Sequence, residues 1–517
     1  MLATQSKTLV AVIAALGLAA ARHADASPPL VHVASGVLQG QRADGIAVFE
    51  GVPYAAAPVG PLRWRPPVPA PAWSDVRDAA GFGPACPQPV SADGAPNLGL
   101  YAGPTSEDCL TLNVWAPPGA RRAPVMVWIH GGGHRFGAAS MGLFDGAAFA
   151  RDGVVLVSFN YRLGALAYFA HPSLTREAGP RQPLGNYGLM DEIAALRWVQ
   201  RNIAAFGGDP RNVTVFGQSS SAIDVQALMA LPGSAGLFQK AIVESGGSWV
   251  GPVRLKDREA DGVSLAASAG LAADQASAAA LRALPVSALL DPSFRFDFEP
   301  FVDGRLVTET STRAFARGGV AAKPLVIGSN SFEGAIAPGF TALGDLPQRL
   351  GALYPDNGQG DSALRALYGD RFFGAPTRWV AARSAAKAET WLYRFSYVPE
   401  HERTALPGAP HGFETPFVFD SWDKLPASLL TAFAGSAAGP TPQDRAMTAR
   451  IHGCWVAFAK TGRPTCPATP AWPPYSQAGD QLMDFEVQPV VRRGLNKPQD
   501  DALERAVLPA ILAPPSR

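Results

Sequence analysis

From Pro124 onward, the hydrophobic pattern of the 517-residue chain switches repeatedly between two kinds of segment. Val125-Met-Val-Trp-Ile129 and Val154-Val-Leu-Val-Ser-Phe159 are nearly unbroken apolar runs, the mark of strands covered on both faces. Between Asp191 and Phe206, the residues Ile193, Leu196, Val199 and Ile203 recur at helical spacing, and Gly207-Gly-Asp-Pro210 stops that helix. Val213 to Phe216 reads as the next strand, and Ala222 to Met229 as a helix that follows it after a tight turn. Lys240 to Ser245, Leu325 to Gly328 and Trp391 to Tyr397 read as further strands. Strands alternating with helices predict an α/β fold. Its large, mainly parallel central sheet would be flanked by helices and joined by right-handed crossovers, with the functional loops at the carboxyl ends of the strands.

Two regions break this rhythm. Residues 27–120 are rich in Pro and Gly with short strand-like pieces, and residues 253–322 are Ala-rich with scattered helical signals. The second is expected to be a helical excursion over the active site. No linker divides the chain, so residues 27–517 are read as a single domain.

Residues 1–26 read as a leader: Lys7 precedes an apolar run from Leu9 to Ala21, and Ala24-Asp25-Ala26 has a small-x-small cleavage pattern. The expectation is export, secreted or periplasmic, with cleavage near Ala26 and no stable membrane anchor. The four cysteines, Cys86, Cys109, Cys454 and Cys466, fit an oxidising compartment. Three pairings are possible, and sequence-local closure favours Cys86–Cys109 and Cys454–Cys466. Removing the leader, which carries Lys7, Arg22 and Asp25, brings 44 basic and 43 acidic residues to parity. Such a balance recruits no nucleic acid and no anionic membrane.

The candidate chemistry centres on Val213-Thr-Val-Phe-Gly-Gln-Ser-Ser-Ser221. A strand, a tight turn and a helix would put Ser219 at the tip of the turn. There its hydroxyl is exposed and faces the free N–H groups of a helix N-terminus. The usual Gly-x-Ser-x-Gly ends here in Ser221. After the strand ending at Ile129 comes His130-Gly-Gly-Gly-His134, whose glycines let N–H groups converge on one point. The N–H groups of Gly132, Gly133 and Ser220 are therefore expected to bind a tetrahedral oxyanion.

In hydrolases built on such an elbow, the acid and then the histidine follow the serine in the chain. That leaves His401, His411 and His452. His401 lies in the polar run Glu400-His-Glu-Arg403, and His452 in a helical stretch; His411, with Gly408 and Gly412 around it, is the expected base. Glu333, after the strand Leu325 to Gly328, is the expected acid. Ser219, Glu333 and His411 together need no cofactor and no metal.

Several segments resemble the type-B carboxylesterase/lipase family, which includes the cholinesterases. They are Phe49-Glu-Gly-Val-Pro-Tyr-Ala55, Gly60-Pro-Leu-Arg-Trp64, Phe82-Gly-Pro-Ala-Cys-Pro-Gln88 and Ser106-Glu-Asp-Cys-Leu-Thr-Leu-Asn113. Trp128-Ile-His-Gly-Gly-Gly133, Asn160-Tyr-Arg-Leu-Gly164, Phe206-Gly-Gly-Asp-Pro210 and Trp472-Pro-Pro-Tyr475 continue the match nearly end to end. The resemblance implies an α/β-hydrolase fold, a Ser–Glu–His triad on Ser219, Glu333 and His411, a Cys86–Cys109 disulfide and a small-molecule ester substrate. Gln218 replaces the family's frequent glutamate before the nucleophile. The Cys86–Cys109 loop also lacks the tryptophan with which cholinesterases hold choline. Both departures point to a neutral carboxylic ester. Two other readings share the pattern: a binding protein that has lost catalysis, and the same chemistry on amides, lactones or long-chain lipid esters. Phe294, Phe296, Phe298 and Phe301 are candidates for an acyl pocket.

Overall fold

In the computed structural model, which describes residues 27–91, 93–290 and 295–513, the apolar runs become strands of one eleven-stranded sheet. In chain order its strands are β1 (Gln41–Ala43), β2 (Ile46–Pro53), β3 (Thr111–Ala116), β4 (Ala123–Ile129), β5 (Val155–Phe159) and β6 (Gly208–Gln218). β7 (Lys240–Glu244), β8 (Leu325–Asn330), β9 (Thr390–Phe395), β10 (Gln481–Phe485) and β11 (Val490–Arg493) follow. Across the sheet the order is β1-β2-β3-β5-β4-β6-β7-β8-β9-β10-β11. From β5 to β10 every pairing is parallel, and antiparallel strands finish both edges. A small separate sheet is built from Leu30–Val33, Gly36–Gln39 and Val76–Asp78.

The central strands are apolar throughout because both their faces are buried. Val125, Val127 and Ile129 of β4 join Val213 and Val215 of β6 in one core. Met126, Trp128 and Phe216 point the opposite way into a second. The register Val125↔Val213, Val127↔Val215 and Ile129↔Gly217 keeps like faces together. It also brings the carboxyl ends of β4 and β6 side by side. Shifted by one residue, the pairing would exchange the two cores.

Helix α1 (Tyr187–Asn202) carries the periodic residues of the sequence and ends through a 3₁₀ turn at Gly207, whose φ of 83° needs no side chain. Helix α2 (Ser220–Ala230) follows β6 directly. Buried Arg162 forks onto Asp191 of α1, with both Nε···Oδ2 and Nη2···Oδ1 at 2.7 Å. The segment Asn160-Tyr-Arg-Leu-Gly164 thereby ties β5 to α1. The Ala-rich excursion is helical: α3 (Leu255–Ser268), α4 (Ala278–Arg282), α5 (Val286–Leu289) and α6 (Ser311–Ala316). The chain then forms α7 (Asp361–Gly369), a π-helical turn at Asp370–Gly374, α8 (Ala375–Ala385) and the long α9 (Pro442–Thr461).

Cys86 is bridged to Cys109 and Cys454 to Cys466, the two sequence-local pairings. The expected leader, residues 1–26, lies outside the described residues. Among the described residues no helix is long and apolar enough to cross a membrane.

Candidate active site

Strand β6 delivers the chain to Gln218, and α2 begins at Ser220, so Ser219 alone makes the turn. Its φ of 61° and ψ of −127° lie where a residue with a side chain is strained. The turn is held by the Ser219 N–H, which donates to the Glu244 carbonyl of β7 at 2.9 Å. Two glycines of the β4 loop make room for it. A Cβ on Gly131 would lie 2.6 Å from the Gln218 carbonyl oxygen and 3.3 Å from the Ser219 Cβ. At Gly132, where φ is 117°, a Cβ would lie 2.3 Å from the Phe136 carbonyl oxygen. The N–H groups of Gly132, Gly133 and Ser220 donate to no acceptor among the described residues. Three free donors thus stand beside one serine.

Ser221, the departure from glycine, is fully buried. Its hydroxyl donates to the His130 carbonyl and lies 3.2 Å from the Tyr161 hydroxyl. The site therefore absorbs the extra oxygen by hydrogen bonding, and the added atom ties the glycine loop to α2.

Glu333 follows β8 and opens a short 3₁₀ turn, Glu333–Ile336. The Asn330 N–H donates to its Oε1 at 2.7 Å, and its Oε2 lies 2.5 Å from His411 Nδ1. The His411 loop is pinned to the Glu333 loop where the Phe332 N–H donates to the Ala409 carbonyl at 2.9 Å. With Nδ1 carrying the proton toward Glu333, Nε2 is an acceptor, and the Gln218 side-chain amide donates to it at 3.2 Å. Burial alone would depress the imidazole pKa. The attraction and hydrogen bond of Glu333 more than offset it, so the pKa stands above the ordinary 6.5.

Two cavities meet at Ser219. One, of about 560 Å³, includes Gly131 to Gly133, Gln218 and His411, and its walls are mainly apolar, Leu98, Leu100, Phe136, Met141, Phe144 and Phe433, with Arg135 as a charged member. The other, of about 420 Å³, runs along Ser220, Trp249, Phe298, Tyr368, Phe372 and Phe373, with Arg135, Arg371, Asp297 and Glu299 as charged members. Among the described residues the Ala-rich excursion reaches the site through Asp297, Phe298 and Glu299. Of the aromatic candidates, Phe298 lines this cavity, and Phe296 packs on it with ring centroids 6.5 Å apart. Phe301 sits in the core, and Phe294 lies outside the described residues.

The other two candidate histidines line neither cavity at Ser219. His401 is in the surface turn Glu400–Glu402, and His452 in α9 is hydrogen-bonded through Nδ1 to the Val418 carbonyl at 2.7 Å.

Three participants had no catalytic-site role assigned from the sequence. Gln218 faces His411 directly. Glu414, three residues after His411, is wholly buried, accepts a hydrogen bond from the Asn330 amide, and has its pKa pushed up to about 7 by burial and by Glu333. His134 is buried with Nε2 2.8 Å from Asp224 of α2, a pair that fastens the glycine loop to the elbow helix. A carboxylate inside the apolar run Ala222 to Met229 was the available signal for Asp224.

Known proteins share the sequence pattern and the fold. The model of the carboxylesterase family matches residues 27–344 and 354–503. The chain is 36% identical over 485 residues to fumonisin B1 esterase of Sphingopyxis macrogoltabida, covering 89% of this chain and 87% of that protein. It is 34% identical over 485 residues to para-nitrobenzyl esterase of Bacillus subtilis, covering 87% and 94%. A solved PNB esterase structure superposes with a TM-score of 0.81 at 31% identity, covering 92% of this chain and 99% of that one. The chain belongs to the carboxylesterase family, with the α/β-hydrolase fold and the serine-hydrolase activity of that class.

Proposed function

We propose that the chain hydrolyses carboxylic esters through an acyl-enzyme on Ser219, with His411 as the base and Glu333 as the acid that holds the imidazole. The observation that carries this reading is His411 with Nδ1 2.5 Å from Glu333, lining one cavity with Ser219 and the three-glycine loop. When the Gln218 amide swings off Nε2, that lone pair takes the Ser219 hydroxyl proton as Oγ attacks the ester carbonyl. The oxyanion that forms is met by the N–H groups of Gly132, Gly133 and Ser220, and the imidazolium by Glu333. His411 then protonates the departing alcohol, and a water activated by the same nitrogen releases the acid. These steps call on protein groups throughout.

The alcohol leaves against His411 and therefore occupies the apolar cavity. Its walls, the amide at Gln218 and the absence of tryptophan between Cys86 and Cys109 favour an uncharged alcohol over choline. Esters of uncharged alcohols are the expected substrates. We also propose export from the cytoplasm, a reading that the Lys7 to Ala26 pattern and the Cys86–Cys109 and Cys454–Cys466 bridges support. N-terminal sequencing of the mature protein from the periplasm or the medium tests it, with a start near Ser27 expected.

The catalytic assignment is tested by labelling with a fluorophosphonate probe and mapping the adduct by mass spectrometry. Adduct on the Ser219 peptide is expected. An unlabelled protein would point instead to an esterase-like binding protein, and an adduct on another serine would overturn the assignment.

A further inference from the structure

The cavity that runs from Ser219 past Trp249 holds a cation without an anionic partner. Arg371 sits in the π-helical turn Asp370–Gly374 and is half-buried. Among the described residues its guanidinium makes no hydrogen bond and has no carboxylate within ion-pair distance; its contacts are the faces of Phe372 at 4.6 Å and Trp249 at 5.9 Å. Arg63 is paired with Glu107, Arg162 with Asp191, and Arg378 with Asp480 and Asp501, while half-buried Arg305, Arg313, Arg394 and Arg450 donate to backbone carbonyls; Arg371 does neither among the described residues. Ring faces attract a cation but do not accept the five N–H donors that a guanidinium presents. Burial lowers the Arg371 pKa with no neighbouring acid to restore it, yet a guanidinium stays charged in any protein.

The acids of the same cavity do not neutralise it. Glu299 is held by Arg258 at 3.4 Å, with its own pKa raised by burial, and Asp297 is exposed. Arg135 lies over Phe298 at 4.7 Å, and His134 is committed to Asp224. Which half of the ester enters this cavity follows from proton transfer. The leaving oxygen must face His411, which lines the other, apolar cavity, so the acyl chain runs toward Arg371.

We infer that Arg371 receives a carboxylate at the far end of the acyl chain, which makes half-esters of dicarboxylic acids the preferred substrates. This rests on the acyl-enzyme reading above. A guanidinium and a carboxylate form the charge-assisted, bidentate contact that an empty fork beside two rings is shaped for.

The test compares monoethyl succinate, glutarate and adipate with the ethyl alkanoates of equal chain length, following released ethanol. For the best-fitting length, kcat/KM of the half-ester should exceed that of the neutral ester by about tenfold or more. That ratio should fall toward one in Arg371→Met, which keeps the stem against Trp249 and Phe372. It should be partly kept in Arg371→Lys, and it should shrink with rising ionic strength. Free glutarate should inhibit the wild type more strongly than pentanoate. A wild-type ratio at or below one for every length, or a ratio unmoved by Arg371→Met, overturns the inference while leaving the esterase reading intact. If neither series is hydrolysed, or if Ser219→Ala still turns both over, the acyl-enzyme reading fails and this inference falls with it.

Discussion

Replacing Glu333 with glutamine should have two effects of opposite kind on the same reaction. The carboxylate accepts from His411 Nδ1 at 2.5 Å, and both side chains are almost sealed from solvent, 3% and 10% exposed. Losing one charge-assisted hydrogen bond to the developing imidazolium costs about 3 kcal/mol, or roughly a hundredfold in kcat. The amide also stops enforcing the tautomer with the proton on Nδ1, which adds up to roughly another hundredfold. The expected loss in kcat is therefore between about 10² and 10⁴. The second effect is on pH. The His411 pKa is raised because Glu333, with a smaller contribution from Glu414, outweighs burial, so without the Glu333 carboxylate the pKa should fall. The base must be neutral to act. The acid limb of kcat/KM should accordingly lie above pH 6.5 in the wild type and move to lower pH in Glu333→Gln. Stopped assays of a neutral p-nitrophenyl ester across the acid and neutral range read both effects. A variant with wild-type kcat would refute the assignment of Glu333. So would a large loss with an unmoved acid limb, because it would mean that Glu333 only supports the loop.

Gln218→Glu places a carboxylate where the amide now lies 3.2 Å from His411 Nε2, which should raise the imidazole pKa further. The acid limb of kcat/KM should move to higher pH, and choline esters should gain on neutral esters; pH profiles on both substrates check this. Glu414→Gln tests the buried carboxyl behind the base. Its pKa stands at about 7 against an ordinary 4.5, so the folded state keeps a proton there that the unfolded chain releases. Wild-type stability therefore declines at this group as pH rises from 4.5 to about 7, by about 3 kcal/mol in all. In urea unfolding the variant should gain on the wild type over that window and hold its advantage above it; a pH-independent difference would contradict the raised pKa.

Much of this site is legible in the sequence because its parts are local. Val213 to Ser221 encodes strand, turn and nucleophile within one stretch, and the glycines at 131 to 133 have no purpose in a buried strand end other than close approach. The sheet is equally legible, because parallel strands covered on both faces leave continuous apolar runs such as Val125 to Ile129. What escapes is contact across long separations. Gln218 and His411 are 193 residues apart, and their hydrogen bond depends on how two loops meet above the sheet. Arg371 looks like any surface arginine in Gly369-Asp-Arg-Phe-Phe373, and only the lack of an ion-pair partner among the described residues gives it meaning. Ser221 shows the limit in the other direction. Read alone it is a misfit in a glycine position, but His130 and Tyr161 accommodate its hydroxyl.

The most direct test of the account is hydrolysis of p-nitrophenyl esters from acetate to palmitate by the wild type and by Ser219→Ala. The account predicts measurable wild-type turnover that falls to the uncatalysed background in a variant with an unchanged melting transition. Turnover surviving in Ser219→Ala would contradict it, and so would a wild type inert toward every chain length.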